Sequence, residues 1–279
     1  MGSTSERNMN QREADNFPKK VANWRQLADL IEHFSYFNGY DWLFRGVTDT
    51  SHDLTPKIGR PTLRKRKKRP GSNSYVHLPY ELEDERAVLT MFTQQARPYL
   101  SSPPDSELEW LAIAQHYGLP TRLLDWTDSL IVAAWFAVEK GRAPEKGNDS
   151  AIWITKGVPS VDPDCNAPLD LVEPGVYRPP HISPRISAQG SVLMICPSPT
   201  EKVALPFLWK VIIKRKSEFT IKKRLNACGI NRRHLFPDLS GLTDHLSWMY
   251  KNNWLAGYKT GSSSKHTAME DDTADEAVE

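Results

Sequence analysis

The sequence predicts an α+β fold in which mixed helices pack on a central sheet of mainly antiparallel strands. Helical apolar spacing dominates the first half of the chain, while most strand-like segments come later. No regular strand–helix alternation of the βαβ kind runs through it. With 279 residues, 39% hydrophobic and 25% charged, the chain can bury a substantial core. The nine tryptophans are expected mostly inside it. No internal repeat is present.

Residues 1–17 are polar and read as a disordered leader. Residues 23–37 have apolar positions at helical spacing, with Asn23 as cap. Residues 40–47 read as a strand. Pro56, Gly59, Pro61, Pro70 and Gly71 then punctuate residues 48–78, which predicts a long loop, basic over 59–78. Residues 79–98 read as an amphipathic helix. A second helix over 106–117 is stopped by Gly118 and Pro120. Residues 121–126 are extended, and Thr127 or Asp128 caps a helix over 130–140. That helix is apolar on nearly every face, which predicts burial from several sides. Strands follow at 151–155, 191–196 and 208–213, the first two separated by Pro-rich loops at 157–184. Helices at 217–227 and 241–250 complete one domain over 18–258, and 259–279 reads as a disordered acidic tail.

Several function classes lose support here. Cys165, Cys196 and Cys228 are odd in number and scattered, which argues against a disulfide framework or a zinc cluster and for a reducing cytoplasm. No apolar run nears the roughly 20 residues of a membrane helix, so no membrane partner is expected. The histidines lack metal-ligand spacing, and no metal is expected. P-loop, GxGxxG and GxSxG motifs are absent.

Certain residues carry chemistry. Arg45 has a rigid fork of donors suited to a phosphate or ribose; its ordinary role would be to pair with Asp41 or Asp125. Asp125 can supply negative charge, or else pair with Arg122 or cap the next helix. His116 and Tyr117 end a helix, where the histidine can act as acid or base and the ring can stack. The run Arg64, Lys65, Arg66, Lys67, Lys68, Arg69 suits nucleic-acid phosphates, although most charge runs are merely solvated.

Trp42-Leu43-Phe44-Arg45-Gly46, the run of residues 115–127 (QHYGLPTRLLDWT), Ala133-Ala134-Trp135-Phe136-Ala137, the Arg185-Ile186…Gln189-Gly190 block and Leu235-Phe236-Pro237-Asp238 together resemble the FRG domain. More distantly, Phe44-Arg45-Gly46 resembles the first strand of ADP-ribosyltransferases, where an arginine holds NAD. That likeness implies a split sheet. It also implies Arg45, Asp125 and Gln189 as catalytic residues, with Gln189 standing where the transferases carry a glutamate. NAD, as substrate, would meet Arg45, Gly46, His116, Tyr117, Arg122 and Thr127. The implied function is an ADP-ribosyltransferase-like effector, a bacterial toxin or phage-defence protein, acting on RNA, DNA or protein and held by an antitoxin or inhibitor. The alternative is a non-catalytic module that binds nucleotide or nucleic acid.

Overall fold

The computed structural model describes residues 16–35, 42–67, 73–141, 147–165, 167–180 and 184–254. The acidic tail, residues 1–15, Asp41, Lys68 and Arg69 lie outside them. The expected leader reaches one residue too far: Phe17 is buried, its ring against Phe34, because an aromatic side chain beside the core gains more from burial than from water.

Nine strands, eight α-helices and three short 3-10 helices form among the described residues. The strands are β1 (Lys20–Val21), β2 (Leu43–Val47), β3 (Thr62–Lys67), β4 (Asn73–Leu78), β5 (Leu123–Thr127), β6 (Ser150–Thr155), β7 (Gly175–Tyr177), β8 (Ser191–Ile195) and β9 (Leu208–Ile213). The helices are α1 (Trp24–Ser35), α2 (Leu82–Ala96), α3 (Glu107–His116), α4 (Leu130–Ala137), α5 (Pro184–Gln189), α6 (Arg215–Ala227), α7 (Arg232–Leu235) and α8 (Leu239–Lys251). Seven strands make one mixed sheet in the order β1-β9-β6-β2-β5-β8-β7. The β1–β9 pair is parallel and the other pairs are antiparallel.

Alternation along β2 sets the layers. Phe44 joins a core with Leu27 and Leu30 of α1, Ala133 and Trp135 of α4, and Leu225 of α6. Leu43 and Val47 belong to a second core with Leu54, Trp126, Trp153 and Met194. A third core lies where α2 and α3 cover Leu123, Leu193 and Tyr177. Helix signals work as the residues dictate. Asn23 Oδ1 accepts the Gln26 N–H at 3.0 Å, and Ser106 Oγ accepts the Glu109 N–H at 3.2 Å. Gly118, at φ +94°, ends α3 with Leu119 N–H bonded to Ala114 O at 2.9 Å.

The expected loop over 48–78 is in part a ribbon. β3 and β4 pair antiparallel from Thr62↔Leu78 to Lys67↔Asn73, with Pro70 and Gly71 falling between them. Pro70 and Gly71 themselves lie outside the described residues; the loop reading gave their punctuation more weight than the β-prone Tyr75, Val76 and Leu78 that form β4. The Pro-rich stretch likewise contains β7, paired with β8.

β2 pairs with β6 through five residues. Towards β5, only the Phe44↔Thr127 pair is formed among the described residues. The sheet opens beyond that pair.

Candidate functional site

Arg45 lies in β2, where the sheet opens. Its Nη1 donates to the Asp125 carbonyl of β5 and so replaces a ladder bond that the parting strands do not make. The same nitrogen stands 4.0 Å from Asp125 Oδ2. The two side chains differ sharply in exposure, 15% for Arg45 and 70% for Asp125. Burial works against the Arg45 cation and lowers its pKa; Asp125 opposes that shift and Arg60 adds to it. Arg45 Nε is buried with no hydrogen-bond partner among the described residues. A cation so desolvated gains from an incoming anion.

Asp125 is held from the other side. Gln115 Nε2 donates to Asp125 Oδ1 at 2.8 Å, and Gln115 Oε1 accepts from Thr121 Oγ1. Thr121 Oγ1 in turn accepts the Leu123 N–H at 3.1 Å. The chain of bonds fixes the Gln115 amide and aims the carboxylate.

His116, at the end of α3, is half-buried. Burial pushes its pKa below the usual value, the charge of Arg185 pushes the same way, and Asp125 opposes both. The imidazole is therefore biased towards its neutral form. The Arg185 guanidinium sits 4.1 Å over the Phe236 ring. Its pKa too is lowered by burial, with Asp125 acting against the shift.

Gln189 closes α5; it does not open β8. Its Nε2 donates to Leu235 O at 2.9 Å, and its carbonyl accepts from Thr127 Oγ1 at 2.7 Å. Thr127 Oγ1 also accepts the Ser129 N–H at 3.1 Å. Thus neither Thr127 nor Asp128 is the cap of α4, a position held by Ser129; Thr127 ties β5 to α5. Gly190 follows at φ +52°, where an added Cβ would lie 2.4 Å from Asp128 Oδ1.

Arg45, Gly46, His116, Asp125, Thr127 and Gln189 line one cavity of about 300 Å³, together with Gln115, Phe136, Arg185 and Ser191. Two expected residues are elsewhere. Tyr117 is 73% exposed and outside the lining, since it follows the last turn of α3. Arg122 is buried in a separate ion pair, its Nη2 2.6 Å from Glu85 Oε2. It also donates to Leu169 O and Tyr80 Oη. This pairing satisfies a buried charge, so Arg122 contacts neither Asp125 nor the cavity. The sequence reading missed Arg185 as a site residue. The only signal was its place at the head of the block that ends in Gln189-Gly190.

Among the described residues no group of three or more His, Cys, Asp or Glu side chains could hold a metal ion, and no helix is long and apolar enough to cross a membrane. Fold and site together define a mixed α/β protein with an arginine-based cavity at the opening of its sheet. Residues 40–146 match the family model of the FRG domain. No curated protein matches the chain, and no solved structure does. Arg185, Gln189 and Ser191 share the cavity although they lie beyond the matched segment.

Proposed function

We propose that the cavity takes NAD as substrate and that the protein acts as an ADP-ribosyltransferase-like effector, a toxin or defence protein. The observation that carries this reading is the pairing of a desolvated arginine with an exposed carboxylate at a sheet opening. Arg45 would receive a phosphate or ribose oxygen. Asp125 would face the positive charge that grows on the ribose as the nicotinamide bond stretches, as a carboxylate does for a glycosidase. The acceptor's lone pair forms the new bond to the ribose anomeric carbon. The carbon–nitrogen bond breaks, and its electron pair leaves with nicotinamide, neutralising the pyridinium. The acceptor's proton passes to Asp125 or to water. A cavity of about 300 Å³ suits a small ligand or one end of a larger one, here the nicotinamide-ribose end.

A second reading, a non-catalytic nucleotide-binding module, is favoured by Gln189. Its amide is committed to Leu235 O, as expected of a positioning residue.

Incubating the full chain with NAD and measuring nicotinamide by chromatography tests the first reading. Arg45→Ala and Asp125→Asn should each lower release by about 10²-fold or more, the usual effect of losing one preorganised group. Wild-type release by Arg45→Ala would overturn it. NAD binding without release would favour the second reading.

A further inference from the structure

Charge along this chain is segregated. Residues 54–80 contain eight of the 36 Lys and Arg residues and no Asp or Glu. The remaining 28 basic residues face all 34 acids, so the rest of the chain is net −6 while the whole is +2. The backbone turns this segment into the two-stranded ribbon of β3 and β4, which is not part of the seven-stranded sheet. Arg64, Lys65, Arg66 and Lys67 occupy four successive positions on β3. Across from them stand Val76, Tyr75, Ser74 and Asn73, none acidic.

The root of the ribbon is fastened beside the cavity. Ile58 N–H donates to Thr121 O at 3.3 Å, and Lys57 Nζ donates to Gly118 O at 3.0 Å, two residues past His116. Arg60, just before β3, is close enough for its charge to bear on Arg45. Six residues of strand cover about 20 Å, the axial length of five or six phosphates on one strand of a duplex at about 3.4 Å each. Arg64 and Arg66 fall on one face of β3 and Lys65 and Lys67 on the other, so either pair, about 6.6 Å apart along the strand, can meet alternate phosphates of one nucleic-acid strand.

We infer that the β3–β4 ribbon binds a nucleic-acid strand through its phosphates and presents it at the adjacent cavity as the acceptor. The acceptor role rests on the transferase reading above; the binding does not. An ordinary solvated charge run would have no reason to be paired into a ribbon and anchored at the lip of the cavity.

Fluorescence anisotropy of the full chain with labelled single-stranded RNA, single-stranded DNA and duplex DNA, in the absence of NAD, tests the binding. Replacing Arg64, Lys65, Arg66 and Lys67 together by serine should weaken binding at least tenfold at 50 mM salt. It should also flatten the slope of log affinity against log salt by about 1.5, the share of the two phosphate contacts that one face supplies. The RNA and DNA arms identify which strand is taken. The double variant Arg64→Lys, Arg66→Lys should bind as the parent does, because charge and not shape is used. Three results would overturn the inference: salt-independent binding, unchanged binding by the serine variant, or equal affinity for polyglutamate or phosphatidylserine vesicles. Nicotinamide release measured without any strand separates the two failures. Release without strand binding sinks the ribbon assignment. Strand binding without release sinks the transferase, and the acceptor role with it.

Discussion

Arg45 and Arg122 both stand near carboxylates, and their surroundings give them opposite work. The Arg122 side chain is 2% exposed and that of Glu85 3%, with Tyr80 and Leu169 filling the remaining valences. Removing one charge there strands the other. Glu85→Gln should therefore cost about 3–5 kcal/mol, whereas Asp125→Asn, on an exposed carboxylate, should stay within about 1 kcal/mol. Urea denaturation of both variants checks the contrast; equal losses would contradict it. Gln189 has its own test. Gln189→Glu removes the donor to Leu235 O and turns an oxygen towards that carbonyl, a loss of about 1–3 kcal/mol. If Asp125 supplies the charge, nicotinamide release should not rise in this variant; a rise would make residue 189 the site of the missing acid. Arg45 and Asp125 were legible because their motifs carried them to strands. The roles of Arg122 and Tyr117 were not, because neither a short extended segment nor a helix end says which neighbour, if any, covers a given side chain.

At the level of elements, Gly46 decides how α4 meets the sheet. A Cβ there would lie 2.0 Å from Ala133 O and 2.5 Å from Ala137 N, both backbone atoms of the helix. The helix cannot yield without leaving β2. Gly46→Ala should thus lower stability by several kcal/mol, at or above the usual overpacking range of about 1–3, and reduce soluble yield. A melting temperature within a degree or two of the parent would show that the contact is dispensable. Gly46 lines the cavity, yet this close approach accounts for its glycine without any ligand. Long periodic elements were readable: α1, α3 and β9 fall within a residue or two of their patterns. Short ones such as β1, β7 and α7 hold no pattern long enough to read, and neighbouring strands and helices specify them.

Over the whole molecule, the cavity joins parts of the chain far apart in sequence: β2 and β5 from the matched segment, α5 and β8 from beyond it. The sheet opening that admits Arg45 is a property of register, which no single segment encodes. Stability links equally distant parts, and pH exposes it. His245 in α8 is 6% exposed and stacked on Trp248 at 6.2 Å. Burial lowers its pKa, and Arg233 and Lys222 add to the effect; His116 shifts the same way. As pH falls below the ordinary histidine value of 6.5, the unfolded chain takes up protons that the folded chain refuses. Stability is thus full above about 6.5 and declines below it, down through the folded pKa. Glu107 and Glu218, whose pKa values burial raises, act oppositely as they titrate from 4.5 upwards, so the total profile mixes both signs. The difference between parent and His245→Asn isolates the histidine. Urea midpoints measured from pH 8 to pH 5 should fall more steeply in the parent, and the two curves should converge towards acid. Parallel curves would mean that His245 is protonated as easily in the fold as outside it.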